Sequence, residues 1–186
     1  GKCKIMHFGR TNPEYGYYMK DSANKISELE KSNREKDLGV YFTSDINWRD
    51  HIRDVTARAN KILGSLKKAF VCRDPGLWKN LYISLVRPHL EYDVQVWSPS
   101  REMDIGSIEK VQAKATKIPT SMRNLGYEAR LRSWGINRLE DRRVRGDLIQ
   151  MYKSVNGLDE IRWEDDPVKL STERVSTRSH KLSIKR

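Results

Sequence analysis

Three kinds of side chain in this sequence have chemistry to offer: carboxylates, His and Cys, and a concentrated set of cations. Asp165-Asp166, preceded by Glu164 and followed by Pro167, is a carboxylate pair of the type that holds two Mg²⁺ for phosphoryl transfer. Such a pair needs rigid, apolar-flanked backbone and a third carboxylate close by. This one stands in a Pro-flanked polar stretch and reads as a solvated acidic patch. His7, His51, His89 and His180, with Cys3 and Cys72, are scattered without the CxxC or HxxxH spacing of a metal site, so no metal ligand is assigned. No GxxxxGK[ST] or GxGxxG loop is present to cradle a nucleotide, and no serine stands in a GxSxG elbow.

The cations carry the remaining signal. Lys110, Lys114 and Lys117 fall on one side of a helix advancing 100° per residue, opposite Ile105, Ile108, Val111, Ala115 and Ile118. Arg138, Arg142 and Arg145 line up likewise beside the apolar row Val144, Leu148, Met151 and Val155. Cations one helical turn apart, about 5.4 Å, can follow a strand whose phosphates recur about every 3.4 Å. Two packed helices would present both rows together. Few acids stand four residues away to pair with them, which favours a polyanion over simple solvated faces. Tyr15, Tyr17, Tyr18, Tyr41 and Trp48 are candidates to stack on bases, although aromatics in such positions more often fill a core.

The charge distribution singles out the same segment. The chain has 186 residues, 36 basic and 25 acidic, for a net charge of +11. Residues 1–109 carry 18 basic and 15 acidic residues, a net of +3, whereas 110–145 carry ten basic residues against Glu128, Glu140 and Asp141, a net of +7. A positive block in an otherwise balanced chain is the footprint expected of phosphate binding. No apolar run approaches the about 20 residues of a bilayer span, and the Gly1-Lys2-Cys3-Lys4 start lacks the apolar stretch of a signal peptide. Two cysteines fit a reducing compartment. The expectation is an intracellular protein, nuclear or cytoplasmic, without a membrane partner. A start at Gly rather than Met suggests a piece of something longer. Nothing in the sequence sets an oligomeric state.

The elements that must position these cations follow from periodicity. Residues 2–9 read as a strand stopped by Gly9 and Asn12-Pro13, and 15–19 and 38–43 as two more short strands, together a small antiparallel ribbon. After Asp45 the period changes. Ile52, Val55, Ala59, Ile62, Leu63, Leu66 and Phe70 mark one face of a long helix with Asn47 as its N-cap. Asp74-Pro75 opens a second helix with Trp78, Leu81, Tyr82 and Leu85 inward, broken or kinked at Pro88. A third runs from Asp104 to Pro119, a short one follows Asn124, and a longer one spans 137–155, closed by Asn156-Gly157. The expected architecture is mainly α, a helical bundle over 47–157, with the small antiparallel β ribbon of an α+β fragment at 1–46 and a polar, disordered tail at 158–186.

Several strings, in order along the chain, are similar to the reverse transcriptases of LINE-type (non-LTR) retrotransposons. They include Lys2-Cys3-Lys4-Ile5-Met6-His7-Phe8-Gly9, Glu35-Lys36-Asp37-Leu38-Gly39-Val40, and Ala59-Asn60-Lys61-Ile62-Leu63-Gly64. Further on come Ser84-Leu85-Val86-Arg87-Pro88-His89-Leu90-Glu91-Tyr92, Val96-Trp97-Ser98-Pro99, Arg145-Gly146-Asp147-Leu148-Ile149 and Thr177-Arg178-Ser179-His180. The resemblance covers almost the whole chain and implies the part of such an RNA-directed DNA polymerase that follows its catalytic palm hairpin. Residues 1–46 would be the last palm strands, with a primer-grip region around Leu38 to Phe42. The helices would form the thumb, which grips primer and template.

The resemblance also implies what this chain lacks. The family's aspartates, in a Tyr/Phe-Ala-Asp-Asp hairpin and before it, would precede Gly1, so the Mg²⁺ of the complete enzyme has no site here. No catalytic residue is assigned beyond Lys2, which stands where similar polymerases carry a lysine that protonates the leaving pyrophosphate. The expected function is therefore binding of RNA, DNA or their hybrid through backbone phosphates by Lys110, Lys114, Lys117, Arg138, Arg142 and Arg145, with no polymerisation and no cofactor for the chain alone. The alternative is a helical protein-interaction module, or a relic, in which the basic charge is incidental.

Overall fold

The computed structural model describes residues 3–9, 11–20 and 24–159, with the backbone of 170–171 and 183–184. Lys2, the Asp165-Asp166 pair and almost all of the expected tail lie outside the described residues. The chain is mainly α, with short two-stranded ribbons, and forms two compact units, Gly1–Arg143 and Val144–Arg186.

In the first unit the N-terminal residues make three ribbons. Strand β1 (Lys4–Ile5) pairs with β4 (Glu30–Lys31), β2 (Tyr18–Lys20) with β3 (Ile26–Glu28), and β5 (Arg34–Asp37) with β6 (Val40–Thr43). The last two pairs are antiparallel and β1–β4 is parallel, with Lys4 opposite Glu30, so the three expected strands β1, β2 and β6 do not pair with one another as a single ribbon but each takes a partner from the polar stretch. The polar stretch between residues 20 and 37 thus supplies β3, β4 and β5. These strands are mostly exposed, so they need none of the apolar alternation by which a half-buried strand is recognised. Leu38 and Gly39 close β5 onto β6 with φ of +44° and +93°, the doubly left-handed backbone that a two-residue hairpin turn needs. Only β6 of these strands reaches the core, through Val40.

Helix α1 (Arg49–Ala69) buries the expected face, Ile52, Val55, Ala59, Leu63 and Leu66, together with His51. Asn47 accepts a hydrogen bond from the Arg49 amide at 3.0 Å, but it stands one residue before the cap position, which Trp48 occupies. Helix α2 (Pro75–Leu81) is capped as its sequence dictates, with Asp74 accepting from the Leu77 amide at 2.8 Å. It continues through a widened π turn at Tyr82–Val86 into α3 (Arg87–Glu91), where the Arg87 amide bonds the Tyr82 carbonyl five residues back. The wider turn lengthens the local period, so Trp78, Tyr82, Val86 and Leu90, every fourth residue, all face inward. Leu85, expected inside, is therefore turned out and 45% exposed. Pro88 falls in the first turn of α3, where its missing N–H is tolerated.

A short α4 (Val94–Trp97) leads to α5 (Glu102–Thr116), α6 (Tyr127–Trp134) and α7 (Leu139–Val155). Helix α1 packs on α5 and on the α2–α3 rod. Trp78, Trp97 and Trp134 are fully enclosed. The His51 ring meets Trp97 edge-on at 4.8 Å, and its Nδ1 accepts from the Tyr41 amide at 3.3 Å, tying β6 to α1.

The unit boundary falls within α7, whose Leu139 and Arg143 are buried. In the second unit Val144, Leu148 and Met151, the apolar row of the sequence, are 54%, 66% and 39% exposed. Here α7 ends in Asn156-Gly157, with Gly157 at φ +64° and the Asn156 amide on the Tyr152 carbonyl. The backbone of β7 (Leu170–Ser171) pairs antiparallel with β8 (Ser183–Ile184). No helix among the described residues is long and apolar enough to cross a membrane.

Candidate nucleic-acid interface

Helix α5 is anchored by Ile108, Val111, Ala115 and a fully buried Gln112, which fixes the direction of its opposite face. Lys110, Lys114 and Lys117 all stand on that exposed side, Lys117 as the residue that ends the helix. Among the described residues none of the three forms an ion pair. Lys114 reaches only the Asn60 side-chain oxygen on α1, at 3.4 Å.

The arginine row behaves differently. Arg138 donates through two nitrogens to Glu128 of α6, one of them at 2.9 Å. Arg142 donates to both oxygens of Glu91 at the end of α3, one at 3.1 Å. Glu91 also pairs with Arg87, at 3.5 Å. Few acids stand four residues from these arginines, as the sequence shows, but partners come instead from other helices, 10 and 51 residues away, so the expectation that this spacing leaves the row free for a polyanion is corrected for Arg138 and Arg142. Arg145 lies in the second unit, exposed, with no ion pair among the described residues.

Packing of α1 on α5 adds cations that spacing within one helix does not link. A cleft of about 500 Å³ opens between the C-terminal halves of the two helices. Lys114 and Lys117 line it from α5, Lys67 from α1, and Arg73 and Arg123 from the loops beyond. Its floor is Leu63 and Ile118, only 4% and 6% exposed. No acidic residue lines it among the described residues. Arg73 has a structural task as well: it donates to the Lys67 carbonyl at 3.2 Å and to the Phe70 carbonyl, satisfying the C-terminal end of α1, and its guanidinium lies 5.2 Å from the Trp78 ring. Lys67, Lys117 and Arg123 carry no such ties among the described residues. The net charge of residues 110–145 pointed to Arg123, but nothing in the sequence joins it to Lys67.

Of the aromatic candidates, Tyr15, Tyr17 and Tyr18 are exposed around β2. Tyr41 is half-buried under Arg34 and Lys36, at 4.4 and 4.8 Å, and Trp48 packs edge-on against Phe42 at 5.6 Å. No group of three or more His, Cys, Asp or Glu among the described residues is arranged to hold a metal ion. Scans of protein-family models, of curated proteins and of solved structures find no match to this chain.

Proposed function

We propose that the chain is the post-catalytic end of a LINE-type reverse transcriptase and that it binds the phosphate backbone of RNA, DNA or their hybrid through the exposed face of α5 and the adjoining end of α1. The observation that carries this reading is the set of cations around the α1–α5 cleft, Lys67, Lys114, Lys117 and Arg123, gathered from separate segments with no acidic residue among them. Folding like charges together costs free energy, so an arrangement that leaves them unneutralised fits a polyanionic ligand. Backbone contacts of this type bind without reading sequence. The reading assigns no catalytic carboxylate to the chain, and primer extension by the chain itself in Mg²⁺ would overturn it.

The test is fluorescence anisotropy with a labelled RNA/DNA hybrid over a range of salt. If the cleft and the outer lysines neutralise about four to six phosphates, log K falls against log salt with a slope of about −3 to −5. The triple variant K110A/K114A/K117A flattens that slope by about two to three units. An unchanged slope would remove the α5 face from the interface.

A second reading, a helical protein-interaction module, is favoured by the exposed Val144, Leu148 and Met151 row of α7. It predicts weak binding to any polyanion, with heparin and a nucleic-acid duplex competing equally.

A further inference from the structure

The shape of the cleft calls for more than a strand of phosphates. A backbone lying across a helix face needs only cations on a ridge, whereas this site is a hollow of about 500 Å³ with an apolar floor and a basic rim. That volume is within the about 300–1,000 Å³ of small-molecule sites, and the lining divides into two chemistries. The exposed edges of Leu63 and Ile118 and the methylene stems of the flanking lysines offer apolar surface, while the charged ends of Lys67, Lys114, Lys117 and Arg123 surround it. A ligand matching both has a flat, weakly polar part attached to an anionic one.

We infer that the cleft seats one nucleotide unit, its base against the Leu63–Ile118 floor beside Gly64 and its phosphate among Lys67, Lys114, Lys117 and Arg123. The inference extends the nucleic-acid reading above by naming a site for a single unpaired residue of a strand, or for a free nucleoside monophosphate of the same chemistry. Asn60 lies at the edge of the hollow, where its amide nitrogen is held by the Thr56 carbonyl at 2.7 Å and its oxygen takes the long bond from Lys114. Gly64 lines the hollow, and a Cβ built there meets nothing within 4 Å, so this glycine is not demanded by close helix packing. A larger side chain at 64 would enter the space proposed for the base and leave every cation in place.

Gly64→Leu is therefore the informative variant, since it also replaces a glycine inside a helix by a stronger helix former. Binding of adenosine 5′-monophosphate and of inorganic phosphate to the full chain is followed at low salt by two-dimensional amide NMR, with a thermal melt confirming that each variant folds. The expected result is that the nucleotide binds at least tenfold more tightly than inorganic phosphate. Gly64→Leu abolishes that preference and leaves phosphate binding within about twofold, and Arg123→Gln weakens both ligands. Equal binding of the two ligands, or a nucleotide affinity untouched by Gly64→Leu, would overturn the inference. A single-stranded octanucleotide that binds at least tenfold more tightly than its abasic counterpart, a preference removed by Gly64→Leu, identifies an unpaired strand residue as the source, and equal binding of the two octamers identifies the free nucleotide; both outcomes uphold the site. A steep salt slope for the hybrid without a nucleotide preference removes this inference alone. A nucleotide preference with a flat slope removes the backbone reading alone.

Discussion

Tyr82 and Gln112, thirty residues apart, meet in the interior of the first unit, where the tyrosine hydroxyl donates to the Gln112 Oε1 at 2.7 Å. Both residues are fully buried. The other end of Gln112 points its Nε2 at the Tyr127 hydroxyl, Glu109 and the Asn137 carbonyl, at 3.0, 3.2 and 3.1 Å. Glu109 in turn accepts from the Leu139 amide at 3.1 Å, at the start of α7. One amide side chain thus joins the π turn, α5, α6 and the residues leading into α7. Burial is the first cause that holds both tyrosine hydroxyls protonated far above the ordinary range, so each stays a donor.

Removing one partner strands the other in a dry site. Tyr82→Phe is expected to cost about 1–2 kcal/mol, and Gln112→Leu, which abandons several groups, about 2–4 kcal/mol. Urea denaturation measures both, and a change below about 0.5 kcal/mol in Gln112→Leu would show that the network adds nothing to stability.

His51 makes stability depend on acid. Burial is the main cause that lowers its pKa from 6.5 to about 4, with the Arg58 charge adding to the effect and Asp54 opposing it. The folded state therefore holds the neutral ring, while the unfolded chain takes up a proton as the pH falls below 6.5. Stability from this group is complete above that value and is lost progressively down to about 4. Between pH 7.5 and 5 the loss is about 2 kcal/mol. Denaturant midpoints at the two pH values check it, and His51→Gln is expected to remove most of the difference.

The two basic rows are expected to separate in their salt response. Because Arg138 and Arg142 are engaged by Glu128 and Glu91, R138Q/R142Q changes the hybrid-binding slope by less than about one unit, against about two to three for the α5 lysines. Equal effects in the anisotropy titration would mean that the ion pairs open on binding.

Glycines 39 and 64 should respond in opposite directions. Gly64→Ala enters open space within a helix and is expected to stabilise by about 0.5–1 kcal/mol. Gly39→Ala puts a Cβ 3.3 Å from the Tyr92 ring at a φ of +93°, and is expected to destabilise by about 1–3 kcal/mol. Thermal melts decide both signs.

The helices were legible because each buries one face. The Ile52 to Leu66 row, the Asp74-Pro75 start and the apolar side of α5 needed only a 3.6-residue period and a cap. Of the ribbons, β1, β2 and β6 could be read but their partners β3, β4 and β5 could not, since exposed strands such as Arg34–Asp37 carry no periodic signal. Leu85 was misplaced because a π turn changes the period locally. At the candidate interface the Lys110, Lys114 and Lys117 face could be read from one helix. Lys67 and Arg123, like the acids that engage Arg138 and Arg142, depend on tertiary packing between segments far apart in sequence, and no spacing rule reaches across that distance.

The widened turn at Tyr82–Val86 also sets how this rod tolerates changes of length. A one-residue deletion inside an α-helix usually rotates everything beyond it by about 100° and buries the wrong side. Here Trp78, Tyr82, Val86 and Leu90 are spaced by four, four and four, with Ser84 and Leu85 on the exposed arc between two of them. Loss of Ser84 would leave spacings of four, three and four, which an ordinary α-helix keeps on one stripe. The turn is thus a built-in spare residue, and the same four anchors would seat themselves in a chain one residue shorter.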